Sequence, residues 1–168
     1  LLWLASRVGP RFEISEVGAS AGINTMMERY HYNLGGTLAG PPASPMLIRP
    51  EWRGPPPPSA MVDIAEIAGC DIAPADLGDP AQALRIKAYV WPDAPERLAR
   101  MDAAIALASQ QPPALVAADA ADWVMERLAA PQAAGVTRVL LHSIMWQYLG
   151  DARRAAISAA IHAAGAQP

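Results

Sequence analysis

The sequence predicts an α/β domain built on a mostly parallel sheet. Segments with the period-2 or unbroken apolar pattern of strands alternate with segments that have the period of helices. Strands that alternate with helices indicate a parallel sheet with right-handed crossovers. The composition agrees, because 52% of the 168 residues are hydrophobic and 17% are charged, as in a globular domain with its own core.

The first predicted unit is a strand, a glycine turn and a helix. Residues 12–17 alternate apolar and polar side chains, and Gly18 ends the strand. After Gly22, apolar residues at i, i+3, i+4 and i+7 predict a helix with Ser20 as its N-cap, and this helix is expected to end within residues 33–36.

The next segment is dense in proline and glycine and predicts an insertion at about residues 35–60. Within it, residues 46–49 are expected to form the second strand, which ends near Glu51. Residues 61–68 predict a short helix closed by a glycine. Residues 71–76 predict a loop, because proline excludes a central strand.

The rest of the chain predicts four helices and two strands. The last strand is an unbroken apolar run, as a strand buried on both faces of a parallel sheet requires. The predicted helices are 80–90, 95–110, 121–129 and 151–164, and the predicted strands are 114–118 and 137–142. The sheet therefore has four candidate strands.

The composition also disfavours several classes of function. The formal net charge is -3 and the arginines form no basic run, so binding of nucleic acid is not expected. No apolar stretch approaches the roughly 20 residues that span a bilayer, and no signal peptide is predicted. Cys70 is the only cysteine and the three histidines lack metal-ligand spacing, so we expect a cytoplasmic protein with no metal site.

The turn after the first strand is the predicted ligand site, because ligands of open α/β sheets bind at the carboxyl ends of the strands. The turn lacks the Gly-Lys-Ser/Thr of a phosphate-binding loop and the spacing of the dinucleotide fingerprint. Its acid and glycines match the acid-x-Gly-x-Gly-x-Gly motif of class I methyltransferases at Glu16, Gly18 and Gly22, with Ser20 in place of the middle glycine. A plain strand-to-helix turn is the alternative interpretation.

Several segments together resemble a bacterial family, domain of unknown function 2332. They are residues 16–24, 51–54, 69–76 and 90–93, the pair His142-Ser143, and Tyr148. The resemblance implies a Rossmann-like three-layer sandwich of the S-adenosylmethionine-methyltransferase type, as a single domain over residues 1–168, but no established reaction. Family members are longer and a complete sheet of this type has more strands, so the chain is expected to be part of a longer protein.

In the methyltransferase pattern, this loop holds the methionine part of S-adenosylmethionine. The glycines let backbone amides approach the cofactor carboxylate, and Glu16 meets its ammonium group. The predicted cofactor-binding residues of the loop are Glu16, Gly18, Ala19, Ser20, Gly22 and Asn24. The alternatives are a tight turn with helix packing for the glycines and a helix cap for Asn24.

Acids after the next two strands complete the predicted cofactor site. A carboxylate after the second strand accepts hydrogen bonds from the ribose hydroxyls. Glu51 holds that place if residues 46–49 are the second strand, and Asp71 is its rival. Asp119, followed by Ala120, comes after the third strand, where it would contact the adenine amino group or only cap the next helix.

His142 and Ser143 stand where the fourth strand ends, at the position that faces the transferred methyl group in many such enzymes. His142 is the candidate general base, and a purely structural histidine is the alternative. The Asn/Asp-Pro-Pro-aromatic signature of amino methylation is missing, because residues 144–146 read Ile-Met-Trp.

The leading hypothesis is a methyltransferase that uses S-adenosylmethionine, with an acceptor that the sequence does not identify. A non-catalytic Rossmann-like module for ligand binding or protein contacts is the alternative, favoured by Ser20 and by the missing signature. A nucleotide-dependent oxidoreductase ranks last, because the glycine spacing does not fit.

Overall fold

The computed structural model describes residues 1–165, which form a main sheet, a small sheet and helices on both faces of the main sheet. The elements in chain order are α1 (Leu2–Val8), β1 (Arg11–Val17), a first 3-10 helix (Asn24–Arg29), β2 (His31–Leu34), β3 (Thr37–Ala39), β4 (Leu47–Ile48), β5 (Asp63–Asp71), α2 (Pro80–Lys87), α3 (Pro95–Gln110), β6 (Leu115–Ala117), α4 (Ala120–Ala129), β7 (Thr137–Leu141), a second 3-10 helix (Met145–Tyr148) and α5 (Asp151–Gly165).

The main sheet has the strand order β6-β5-β1-β7, and every pairing within it is parallel. In chain order these are the third, second, first and fourth strands of the sheet, which is the order that begins a doubly wound nucleotide-binding sheet. The predicted α/β class is confirmed, and the sheet is compatible with a Rossmann-like fold.

Side chains of β1 alternate between two cores. Phe12, Ile14 and Glu16 are buried and share one face of the strand. On that side the first 3-10 helix, α2 and α3 pack around Met26, which is fully buried. On the opposite face, Val17 packs with buried residues of α4 and α5. The helices thus form a layer on each face of the main sheet.

The predicted helix at residues 61–68 is wrong, because this segment belongs to β5. Ile64, Ile67 and Ala68 have the i, i+3, i+4 spacing of a helix face. Their backbone instead pairs with β1, and the end of the same strand pairs with β6. Such long-range pairing overrides a local pattern. The second strand of the main sheet is therefore β5, and residues 46–49 contribute only the two-residue β4 to the small sheet.

The predicted helix after Gly22 is only a short 3-10 helix. Ser20 lies at φ 53° and Ile23 precedes the helix without a side-chain cap, so the prediction of Ser20 as N-cap is wrong. The expected helix end at residues 33–36 is a hairpin, in which β2 and β3 are joined by Gly35 and Gly36. Both glycines have positive φ, as a two-residue hairpin turn demands.

The remaining elements follow the predicted ones within a few residues, namely α2, α3, β6, α4, β7 and α5. None of the helices within residues 1–165 has the length and hydropathy needed to cross a bilayer.

Candidate functional site

The four strands of the main sheet end at one edge, and the chain changes direction there. After β1 it runs to β5 and β6 on one side, and later it returns to β7 on the other side of β1. The carboxyl ends of β1 and β7 therefore form a topological switch point, the place where open α/β sheets bind ligands.

Glu16 is the buried carboxylate at this switch point. Its side chain is 1% exposed, and Oε1 accepts a hydrogen bond of 2.7 Å from Asn24 Nδ2. Oε2 is buried and finds no hydrogen-bond donor among residues 1–165. Burial raises the pKa of Glu16 above its ordinary value of 4.5, and the bond from Asn24 opposes the shift. A buried polar atom without a partner is costly, which makes Oε2 a candidate contact for a polar ligand group.

A cleft of about 490 Å³ opens beside Glu16. Asn24, its hydrogen-bond partner, lines this cleft, and so does Leu141, its register neighbour on β7. Neighbours in register point to the same face of a sheet, so the Glu16 side chain lies on the cleft side. The volume falls within the range of small-molecule sites. We call this space the α3 cleft, because α3 forms its opposite wall.

Three backbone amides of the loop after β1 donate hydrogen bonds to other groups of the protein. The amide of Ala19 donates to the carbonyl of Cys70 at 2.9 Å, and the amide of Ser20 donates to Asp71 Oδ2 at 2.8 Å. The amide of Gly22 donates to the Ala19 carbonyl at 2.8 Å. These three amides already have partners, so an anionic group bound at this loop would compete with bonds inside the protein.

The glycines of the loop are required by packing. Gly18 and Gly22 have φ of 69° and 70°. A Cβ on Gly18 would overlap Met145 Cβ, and one on Gly22 would lie 2.7 Å from Pro113 Cγ. The predicted alternative, a tight turn with close packing, therefore has direct support, and Met145 covers Gly18 where a cofactor would approach.

Asp71, and not Glu51, follows the second strand of the main sheet. Its Oδ2 holds the amide of Ser20, and its Oδ1 accepts a bond of 2.9 Å from the amide of Ala73. Each oxygen retains acceptor capacity. Glu51 follows β4 of the small sheet, is exposed, and pairs only with Arg53 at 3.0 Å among the described residues. The preference for Glu51 on topology is wrong, since its strand is not in the main sheet.

Asp119 caps α4, as one of its two predicted roles requires. Oδ1 accepts the amide of Ala121 at 2.9 Å, and Oδ2 accepts a bond of 2.7 Å from Arg153. Desolvation opposes ionisation, but the amides of α4 and Arg153 outweigh it and lower the pKa of Asp119. Ala120 begins the helix and is buried. The carboxylate is thus ionised and committed to the cap and to Arg153.

His142 and Ser143 lie just beyond β7 and are exposed. The imidazole of His142 stacks on Trp146, with ring centroids 5.2 Å apart and planes inclined by 21°. This stacking fixes the ring on the 3-10 helix that also carries Met145. The structural role foreseen for His142 has a visible basis, and the exposed ring remains accessible for proton transfer.

Two arginines of the α3 cleft were missed by the sequence analysis. Arg97, Arg100 and Met101 stand on one wall, spaced i, i+3, i+4 along α3. That spacing was visible in the sequence, but it is equally typical of a solvent-exposed helix face. Within residues 1–165, no group of three or more His, Cys, Asp or Glu side chains is arranged to hold a metal ion.

Comparison with known proteins places the chain in a family without assigning a reaction. No curated protein and no solved structure matches it. A family model described as "Uncharacterized protein conserved in bacteria (DUF2332)" matches residues 1–168. Because this match covers the whole sequence, the chain belongs to the DUF2332 family of bacterial proteins.

Proposed function

We propose that this chain binds S-adenosylmethionine at the carboxyl edge of the main sheet and acts as a methyltransferase of the class I type. The observation that carries the proposal is Glu16, a buried carboxylate at the switch point with Oε2 unpartnered among residues 1–165. An ammonium group is the ligand chemistry that best satisfies such an oxygen, since a charge-assisted bond offsets the cost of burial.

Each of the three acids at this edge would contact a different part of the cofactor. Glu16 is the next-to-last residue of β1 and would bind the ammonium group. Asp71 ends β5, and its free lone pairs would accept bonds from the ribose hydroxyls. Asp119 and Ala120 follow β6 and would border the adenine ring. The cofactor supplies an electrophilic methyl group, and the protein contributes mainly by positioning.

His142 is the proposed proton acceptor of this site. It follows β7, the strand that lies beside β1, and its ring is exposed while Trp146 holds its orientation. An imidazole oriented in this way can remove a proton from an acceptor. Ser143 stands next to it at the same strand end.

Calorimetric titration with S-adenosylmethionine and S-adenosylhomocysteine tests the proposal. We expect saturable binding that Glu16→Gln weakens by roughly tenfold to a hundredfold, since a charge-assisted bond is worth roughly 1.5–3 kcal/mol. Asp71→Asn is expected to weaken binding of both ligands, since both carry the ribose. Glu51→Gln is the matched control and should bind as the unaltered chain does. Absence of binding to folded protein at millimolar ligand would refute the cofactor assignment.

A non-catalytic module is the second candidate, and Met145 favours it. The side chain of Met145 fills the space over Gly18, and three amides of the loop are already bonded within the protein. A module that never admits a cofactor should bind neither ligand even when Met145 is shortened. Binding that appears only in Met145→Ala would identify Met145 as the barrier.

A further inference from the structure

The α3 cleft carries positive charge on one wall. Arg97 and Arg100 stand about one helical turn apart and both line the cleft. Arg100 lies 4.0 Å from Glu96, whose side chain is 92% exposed, so this pair is weak. Arg97 makes no side-chain hydrogen bond or ion pair with any residue of the described range 1–165. Both guanidinium groups are therefore available to an anion.

The rest of the cleft is mostly apolar. Met27, Met46, Ile48 and Met101 line it together with the ring of Tyr30. The hydroxyl of Tyr30 donates to the carbonyl of Ile23 and leaves its apolar ring toward the cleft. Methionine side chains adapt to irregular ligands and favour aromatic partners. A ligand of this cleft thus has an apolar body and an anionic end.

We propose that the α3 cleft binds a small carboxylic acid with an apolar body, its carboxylate held by Arg97 and Arg100. A guanidinium group matches a planar carboxylate through two parallel hydrogen bonds. Glu96 beside Arg100 reduces the positive charge of the cleft, which favours one negative charge over two. The inference goes beyond cofactor binding and does not depend on it.

Methionine-methyl NMR of the whole chain, without S-adenosylmethionine, tests this inference. Phenylacetate should shift the resonances of Met27, Met46 and Met101 in a saturable way, while Met61 and Met125, which are exposed outside the cleft, stay in place. The neutral phenylacetamide and the doubly charged phenyl phosphate should both bind more weakly. Equal or tighter binding of either probe, or shifts confined to Met61 and Met125, would overturn the proposal.

Variants of the two arginines make the test specific. Arg97→Gln and Arg100→Gln should each weaken phenylacetate binding by about tenfold, and both should fold normally because neither side chain is buried. Arg154→Gln is the matched control, because Arg154 pairs with Asp151 on α5, in the opposite helix layer. This variant should bind phenylacetate with the affinity of the unaltered chain. Full affinity in the double variant Arg97→Gln/Arg100→Gln would overturn the assignment.

Discussion

At the scale of single residues, Glu16 bears the largest electrostatic cost of the candidate site. The carboxylate is buried, and only Asn24 compensates one of its oxygens within the described range. Burial therefore favours the protonated form, which raises the pKa in the folded state. The folded chain then binds this proton more tightly than the unfolded chain does. The contribution of Glu16 to stability therefore falls as the pH rises from 4.5 through the folded-state pKa.

Glu16→Gln is expected to remove this fall, since the variant has no carboxyl group to titrate. The free energy of unfolding of the variant should gain on that of the unaltered chain as the pH rises. Each pKa unit of the shift corresponds to about 1.4 kcal/mol. Urea unfolding over a series of pH values measures the difference. Glu51→Gln is the matched control, because it makes the same substitution at an exposed position outside the candidate site. Parallel profiles for Glu16→Gln would contradict the assignment of a raised pKa.

At the scale of elements, the loop after β1 is locked to the second 3-10 helix. Gly18 contributes the loop side of this contact, and Met145 contributes the other. The positive φ of Gly18 adds a conformational reason for glycine at this position. Any ligand that reaches Gly18 must displace Met145, so this contact determines how the loop is used.

Gly18→Ala should destabilise the chain through both conformational strain and collision with Met145. Gly135→Ala is the matched control, because Gly135 has a φ of 73° and open space where its Cβ would lie. We expect a cost of roughly 1–3 kcal/mol for the control from strain alone and a further cost of roughly 1–3 kcal/mol for Gly18→Ala from overpacking. Thermal unfolding compares the two. Met145→Gly combined with Gly18→Ala should recover much of the difference, because it removes the Cβ that Gly18→Ala would strike, and equal costs for both alanine variants would argue against the contact.

The predictable elements were those whose local pattern agrees with their tertiary setting. The alternation of β1, the apolar run of β7 and the amphipathic α3 each predicted the element found. In β5, Ile64 and Ile67 have helical spacing, and only pairing with distant strands decides the outcome. The hairpin at Gly35 and Gly36 was missed because its turn signal was taken for a helix end.

The residues of the candidate site also differ in whether a local pattern or the tertiary structure decides their place. Glu16, Asn24 and the loop glycines follow from a local motif, and the structure brings Asn24 onto Glu16. The place of Asp71 depends on β5, so it could be decided only with the sheet order known. The role of Arg97 and Arg100 depends on where α3 packs against the first 3-10 helix, which sequence spacing does not determine.

At the scale of the whole molecule, Arg127 ties the α4 layer to the main sheet. Its guanidinium group meets Glu13 of β1 at 3.1 Å and Glu66 of β5 at 2.6 Å, and its Nε donates to Ser15 at 3.3 Å. Arg138 of β7 meets the same Glu13 at 3.3 Å. One helix and three strands thus share a single ionic network, at the amino-terminal half of the strands and away from the candidate site.

Arg127→Ala should therefore destabilise the chain without altering ligand binding. Its side chain is 23% exposed, and truncation leaves the partly buried Glu13 with Arg138 as its remaining partner, so we expect a loss of roughly 2 kcal/mol. Arg53→Ala is the matched control, because Arg53 is exposed and pairs only with the exposed Glu51, and its cost should be below about 0.5 kcal/mol. Urea unfolding at low and high salt separates the two, since an exposed pair is screened far more than a partly buried network. Equal costs for both variants would show that the network is no better shielded than a surface pair, and that it does not hold the α4 layer to the sheet.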